Sequence, residues 1–173
     1  KAAIVVPDNV LFEGGAGETI RKKLMETCDL HTIIRLPTGI FYAQGVKANV
    51  LFFDKKPAQK EVATSKVWIY DLRTNKHFAL KENTLKFEDL KDFIKCYNTE
   101  NRHLRKENER FKCFTYEEIL KRDKTNLDIF WLRDESLEDL DKLPDPDIIA
   151  NELVEDFEDA LEQLKEISED LNK

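Results

Sequence analysis

Phe41 and Tyr42 stand side by side in a short loop, and Lys47 follows before the next apolar run begins. The loop lies between two strand-like stretches, so the sheet cannot bury both rings. Exposed aromatics next to a cation suit stacking on nucleic-acid bases, with the ammonium set against a phosphate. Two plainer roles compete with this. Phe41 could plug the end of the sheet, as loop aromatics commonly do, and an exposed lysine is often only solvated. On the residues alone both readings stay open. Other chemistries find less support. Cys28, Cys96 and Cys113 are widely spaced with no C-x-x-C pair, and His31, His77 and His103 are isolated, so neither a zinc site nor a redox motif is indicated.

A second set of residues is patterned for assembly. Asp145-Pro146-Asp147 combines a helix N-cap, a proline in the first turn and a second acid beside the positive dipole end. Ala150, Leu153, Phe157, Ala160, Leu164, Ile167 and Leu171 then alternate steps of three and four, an unbroken heptad seam. The rest of that helix is mostly Glu and Asp. So charged a helix is not stable alone in water, which makes Leu153, Phe157, Leu164, Ile167 and Leu171 candidates for docking against another helix.

Charge separates the chain in the same way. Residues 134–173 hold 16 acidic and 3 basic side chains, a net of -13, and residues 1–133 hold 25 basic and 19 acidic, a net of +6; together they give -7. A mildly basic body can face a polyanion that would repel the tail. No apolar run is long enough to span a bilayer, so no membrane role is expected. Scattered cysteines fit a reducing, cytoplasmic setting. The chain opens on Lys1-Ala2-Ala3-Ile4-Val5-Val6 without signal-peptide features, which reads as a chain cut inside a domain.

The elements that would position these residues follow from periodicity. Residues 2–6 read as a strand buried on both faces, 30–36 as a second strand, 48–53 as a third and 67–70 as a fourth that closes an edge of the sheet. The gap between the second and third is too short for a parallel crossover, so those two should pair antiparallel. Gly14-Gly15-Ala16-Gly17 reads as a loop, followed by a helix over 18–28 that presents Ile20, Leu24 and Met25. Phe87, Leu90, Phe93, Ile94 and Tyr97 mark an amphipathic helix. Residues 98–111 read as a polar loop or its extension. A short helix starts at 114, with Thr115 and Glu118 spaced as a capping box. Residues 127–132 form an apolar segment that something must cover.

The stretch Leu36-Pro37-Thr38-Gly39-Ile40-Phe41-Tyr42-Ala43-Gln44-Gly45-Val46-Lys47-Ala48-Asn49-Val50-Leu51-Phe52-Phe53 resembles the late motif of adenine-N6 DNA methyltransferases of the modification-subunit type. Ala3-Ile4-Val5-Val6-Pro7-Asp8-Asn9-Val10-Leu11-Phe12 resembles the strand and turn before that motif. Residues 122–132, Leu143-Pro144-Asp145-Pro146 and the final helix are similar to the tail of type I restriction–modification modification subunits. The likeness covers essentially the whole chain, in order.

The resemblance implies an α/β fold: the C-terminal half of a Rossmann-like methyltransferase sheet with an antiparallel edge, followed by a helical C-terminal extension. It divides the chain at 1–75 (methyltransferase part), 76–144 (mixed, mainly helical connection) and 145–173 (docking helix). It implies a parent that transfers a methyl group from S-adenosylmethionine to adenine N6 in DNA, partnered by a specificity subunit and a restriction (motor–nuclease) subunit. Phe41 would stack on the flipped adenine, with Tyr42 and Lys47 as DNA contacts. The family's Asn/Asp-Pro-Pro-Tyr/Phe motif and its glycine-rich cofactor motif do not occur in this sequence, and Gly14-Gly15-Ala16-Gly17 follows a different strand. The piece is therefore expected to be inactive alone, with no catalytic, cofactor-binding or metal residues of its own. A non-catalytic assembly module, or part of a solitary type II-like adenine methyltransferase, are the alternatives.

Overall fold

Leu30, Ile33 and Ile34 crowd one short run and are satisfied only by cover on both faces. The structure, a computed structural model, sets them in the middle of a five-stranded sheet. It describes residues 1–43, 45–58, 60–76, 78–81 and 83–134, together with Val154, Phe157 and Leu161. The strands are β1 (Ala2–Pro7), β2 (Cys28–Arg35), β3 (Ala48–Lys55), β4 (Lys66–Asp71) and β5 (Phe111–Thr115), in the order β1-β3-β2-β4-β5. β2 and β4 run parallel, and every other neighbouring pair is antiparallel. The expected antiparallel pairing of β2 with β3 is present. The reversed strand, however, is internal, between β1 and β2.

Helices cover both faces. They are α1 (Asn9–Phe12), α2 (Ala16–Thr27), α3 (Phe87–Tyr97) and α4 (Tyr116–Leu120). β4 shows why two cores form. Val67 and Ile69 join Met25 of α2, Ile119 of α4, Leu127 and Ile129. Trp68 and Tyr70 join Phe93 of α3, Leu72 and Phe111. Alternation along the strand sends neighbouring side chains to opposite faces. The Tyr70 ring meets Phe93 edge-on at 5.3 Å, and Trp68 stacks on Phe111 at 4.8 Å.

Several sequence expectations need correction. β1 is an edge strand, not a doubly buried one: it pairs with β3 alone among the described strands, and Ile4 and Val5 are exposed. β4 does not close the sheet, since β5 pairs outside it. That strand comes from a stretch read as polar loop and helix start. Its Phe111 is fully buried, and Thr115 ends the strand before capping α4. The capping box itself is as expected: Thr115 Oγ1 accepts from Glu118 N, and the Glu118 carboxylate accepts from Thr115 N at 2.7 Å. On α3, Phe93 is buried whereas Phe87 and Ile94 are exposed. Residues Lys1–Arg133 form one compact unit, which includes α3 and β5.

On α2 the expected Ile20 is exposed and Arg21 takes the buried place beside Met25. Arg21 is worth burying because four carbonyls converge on it. It donates to Val10 O at 2.8 Å, Glu13 O at 2.7 Å, Lys124 O at 2.6 Å and Thr125 O at 3.2 Å. Lys124 and Thr125 both have positive φ, which turns those carbonyls toward the guanidinium. Arg21→Lys keeps the charge but not the planar fork, so it should cost roughly 1–2 kcal/mol in denaturant unfolding. A loss below a few tenths would show that the four bonds add nothing net.

Candidate functional site

The loop 36–47 leaves the end of β2 and returns into β3, so its stems are neighbouring antiparallel strands, with Leu36 N donating to Ala48 O at 3.0 Å. Arg73, just past β4, closes the stems. Its Nε donates to Leu36 O at 2.8 Å and its Nη2 to Ala48 O at 2.9 Å, one carbonyl on each side of the loop. The same guanidinium holds Asp8 in a fork, at 2.7 and 2.8 Å. Asn49 Nδ2 donates to Asp8 Oδ1 at 2.7 Å, and Asp8 N donates to Lys47 O at 3.1 Å. Burial pushes the Asp8 carboxyl up, but the hydrogen bonds and charge of Arg73 outweigh it and hold the group below the usual carboxylate range. Asp8 is thus an anion at neutral pH that ties the turn after β1 to the base of the loop.

Behind this clasp sits a buried ion pair. Arg35 Nη1 donates to Asp71 Oδ2 at 2.9 Å, and both side chains are 1% exposed. Asp128 lies 3.3 Å from Arg35 Nη2, and the guanidinium is centred 4.0 Å from the Phe130 ring. Burial raises the Asp128 carboxyl above its ordinary value despite Arg35 nearby. Asp71 also accepts from the backbone of Arg73 and Thr74 and from the Thr74 hydroxyl, at 2.7–2.8 Å. It therefore shapes the turn that aims Arg73 at the loop.

Gly39 explains how the loop is seated. Its φ is +81°, and a Cβ there would stand 1.8 Å from Phe78 O, so only glycine lets the two backbones approach. Ile40 and Phe41 pack partly buried against the core that holds Ile34, Leu36 and Leu72. Tyr42 is 96% exposed, and Lys47 is exposed at the stem. The structure thus brings Phe41, Tyr42 and Lys47 onto one clamped loop, with Phe41 half seated and Tyr42 projecting. Sequence reasoning missed Asp8, Arg35, Asn49, Asp71, Arg73 and Asp128. The available signal was a charged or amide residue near the end or start of an apolar run: Arg35 closing β2, Asn49 second in β3 and Asp71 closing β4.

A cavity of about 300 Å³ beside the loop is lined by Gly39, Ile40, Ala79, Leu80, Thr84 and Leu85. Among the described residues its lining holds no charged side chain. Among the described residues no cluster of His, Cys, Asp and Glu could hold a metal ion, and no helix is long and apolar enough to cross a membrane. In the tail, Phe157 is helical and exposed, as are Val154 and Leu161, and their spacing of three and four places them on one helix face. Leu153, Leu164, Ile167 and Leu171 lie outside the described residues.

Comparison with known proteins bears on these features. Residues 1–134 match the family model for N-6 DNA methylase. The chain is 41% identical over 203 aligned residues to the type I restriction enzyme EcoKI methylase subunit of Escherichia coli (strain K12), covering 99% of this chain and 38% of that protein. The StySJI methylase subunit of Salmonella typhimurium matches at the same identity and coverage. The crystal structure of the EcoKI M protein superposes with a TM-score of 0.69 at 39% identity, over 99% of this chain and 41% of that one. A structure concerned with complex assembly and conformational transition of the type I R-M system superposes at 0.61 and 27% identity, over 98% of this chain and 35% of that one. The chain thus spans less than two fifths of the length of the curated relatives it matches.

Proposed function

Because the chain belongs to the N-6 DNA methylase family, we propose that it is the C-terminal part of a type I modification subunit that methylates adenine N6 in DNA, and that loop 36–47 meets the target base. The family match over residues 1–134 carries this reading, and the clamped aromatic loop fits it. To modify the amino group, such an enzyme must take adenine out of the stack at a cost of a few kcal/mol, and a stacking ring offsets part of it. Phe41 is the stacking ring, while Tyr42 and Lys47 reach flanking DNA. Arg73 and Asp8 hold the loop's stems so that little order has to be created on binding. The exposed apolar β1 edge, with Ile4 and Val5, suits a sheet that continues in the longer subunit.

S-adenosylmethionine would supply the methyl group to the parent. The family's cofactor and catalytic motifs do not occur in this sequence, so no residue of this chain is assigned to it. The acidic tail is the docking element, its seam meeting helices of the specificity subunit, with the motor–nuclease subunit joining for restriction. The exposed face of Val154, Phe157 and Leu161 supports that role. A purely assembling module is the second reading, and one experiment separates the two. Phe157→Asp with Leu164→Asp in the full subunit should abolish the complex with the specificity subunit while cofactor binding by calorimetry is unchanged. An intact complex would reject tail docking. Calorimetric binding of S-adenosylmethionine to the 173-residue chain itself would overturn the assignment of this piece as cofactor-free.

A further inference from the structure

At the end of the sheet where the parallel strands β2 and β4 begin, a cleft of about 190 Å³ opens between Asp29, Lys56, Lys66, Arg102, His103 and Arg105. The aromatic loop leaves the other end of β2, roughly 20 Å away at 3.3 Å per strand residue. Arg105 floors the cleft at 8% exposure. A β-bulge at His31 makes its place, because the register slips between Leu30 and Thr32 and frees the His31 carbonyl. Arg105 Nη1 donates to that carbonyl at 3.2 Å and to Thr32 Oγ1 at 3.0 Å, while Nε donates to Tyr97 O at 2.7 Å. The guanidinium is centred 4.8 Å from the Tyr97 ring.

All of these partners are neutral. Among the described residues no carboxylate lies within ion-pair distance of Arg105, and its Nη2 has no hydrogen-bond partner. A buried cation without a counterion is costly, and burial pushes this guanidinium down to about 10. The carboxylates nearby serve other cations. Arg102 contacts Asp54 at 3.0 Å and Asp29 at 3.5 Å, and Lys56 contacts Asp29 at 3.9 Å. Lys66 is exposed at the rim, its ammonium 6.0 Å from the centre of the Trp68 ring, with no carboxylate in ion-pair range among the described residues. Four cations therefore face two carboxylates, a surplus of two positive charges. His31 responds to the same field: burial, then the charges of Arg102 and Arg105, lower its imidazole to about 4, so it is neutral at physiological pH.

We propose that this cleft binds a phosphate-class oxyanion, with Lys66 and Arg102 contacting it at the rim and Arg105 supplying fixed positive charge beneath. The surplus of two charges matches a phosphate monoester dianion, or successive phosphodiesters of a nucleic-acid backbone. A low-dielectric floor beneath charged walls concentrates the field on such a ligand.

The test is a titration of the full chain with inorganic phosphate at constant ionic strength, followed by amide NMR. Saturable shifts are expected at residues 65–67 and 102–106, with a dissociation constant on the order of 1 mM and the loop amides still. Lys66→Glu should weaken binding about tenfold, and Lys66→Gln about threefold should the reversal perturb the fold. An absence of saturable shifts at these amides, or unchanged affinity in a folded Lys66 variant, would overturn the site. A short DNA duplex then identifies the source. Shifts at the same amides that compete with phosphate and fall steeply with salt assign the site to the DNA backbone. Phosphate binding without a duplex effect there assigns it to a free phosphate or nucleotide. Either result supports the oxyanion site.

Discussion

Replacing Asp71 by Asn is expected to lower the unfolding free energy by about 3–5 kcal/mol, the cost of leaving a buried charge without its partner. Arg35 is 1% exposed, and its Nε and Nη2 already lack hydrogen-bond partners among the described residues. Once Asp71 is neutral, the remaining carboxylate in ion-pair range among the described residues is Asp128 at 3.3 Å, a group that burial itself disfavours as an anion. The amide also disturbs the turn, since Asp71 accepts from Arg73 N, Thr74 N and the Thr74 hydroxyl. For a chain of this size the loss corresponds to a fall in Tm of roughly 10 °C, measured by circular dichroism. The double variant Arg35→Met with Asp71→Asn should recover part of it, because it removes the uncompensated charge while the amide oxygen still accepts from the turn. A single Asp71→Asn variant within about 1 kcal/mol of wild type would mean that Asp128 and the Phe130 ring suffice for Arg35.

How much of this could be read beforehand depended on what kind of interaction fixed each part. β2, β3 and β4 were legible because apolar runs bounded by Pro, Gly or charge leave one conformation that hides them. α3 was legible to its bounds from spacing alone, and α4 from its cap. β5 was not. Lys112 interrupts Phe111, Cys113 and Phe114, and nothing local says that Phe111 will stack on Trp68 of the neighbouring antiparallel strand. Edge placement of β1 was hidden for a related reason: an apolar strand reads as central whether or not a neighbour is present to pair with it. Polar burial was the least legible of all. Arg21, Arg35 and Arg73 are justified only by carbonyls and carboxylates gathered from distant parts of the chain, such as Leu36, Ala48 and Asp8 around Arg73. The aromatic loop was found from its residues, yet the clasp that holds it was not. A loop's composition is local, whereas the closure of its stems is tertiary.

The role of Phe41 is separable from its packing by choosing the replacement. The ring is half buried against the core of Ile34, Leu36 and Leu72, so Phe41→Ala removes both a packing contact and any stacking surface. Phe41→Leu keeps most of the apolar contact and discards the π-face. In the longer subunit assembled with its partners, both variants should lower kcat/KM for adenine methylation about 10- to 100-fold, matching the roughly 1–3 kcal/mol that stacking on one base contributes. Phe41→Tyr should retain most of the rate. The isolated chain should melt near wild type with Leu and lower with Ala, so the two readouts move independently. Tyr42→Ala, at a side chain that is 96% exposed, should leave stability unchanged and weaken DNA binding about fivefold or less. A wild-type methylation rate in Phe41→Leu, with loss confined to Phe41→Ala, would make the ring a plug for the sheet end. A larger loss in Tyr42→Ala than in Phe41→Leu would move the stacking role to Tyr42, the ring that already stands in solvent. The physical distinction is between a ring oriented in advance by its contacts and one that must be ordered when the base arrives. The Arg73 clasp and the Gly39 seat favour the first, because a stem fixed on both sides limits the entropy lost when the loop closes on DNA.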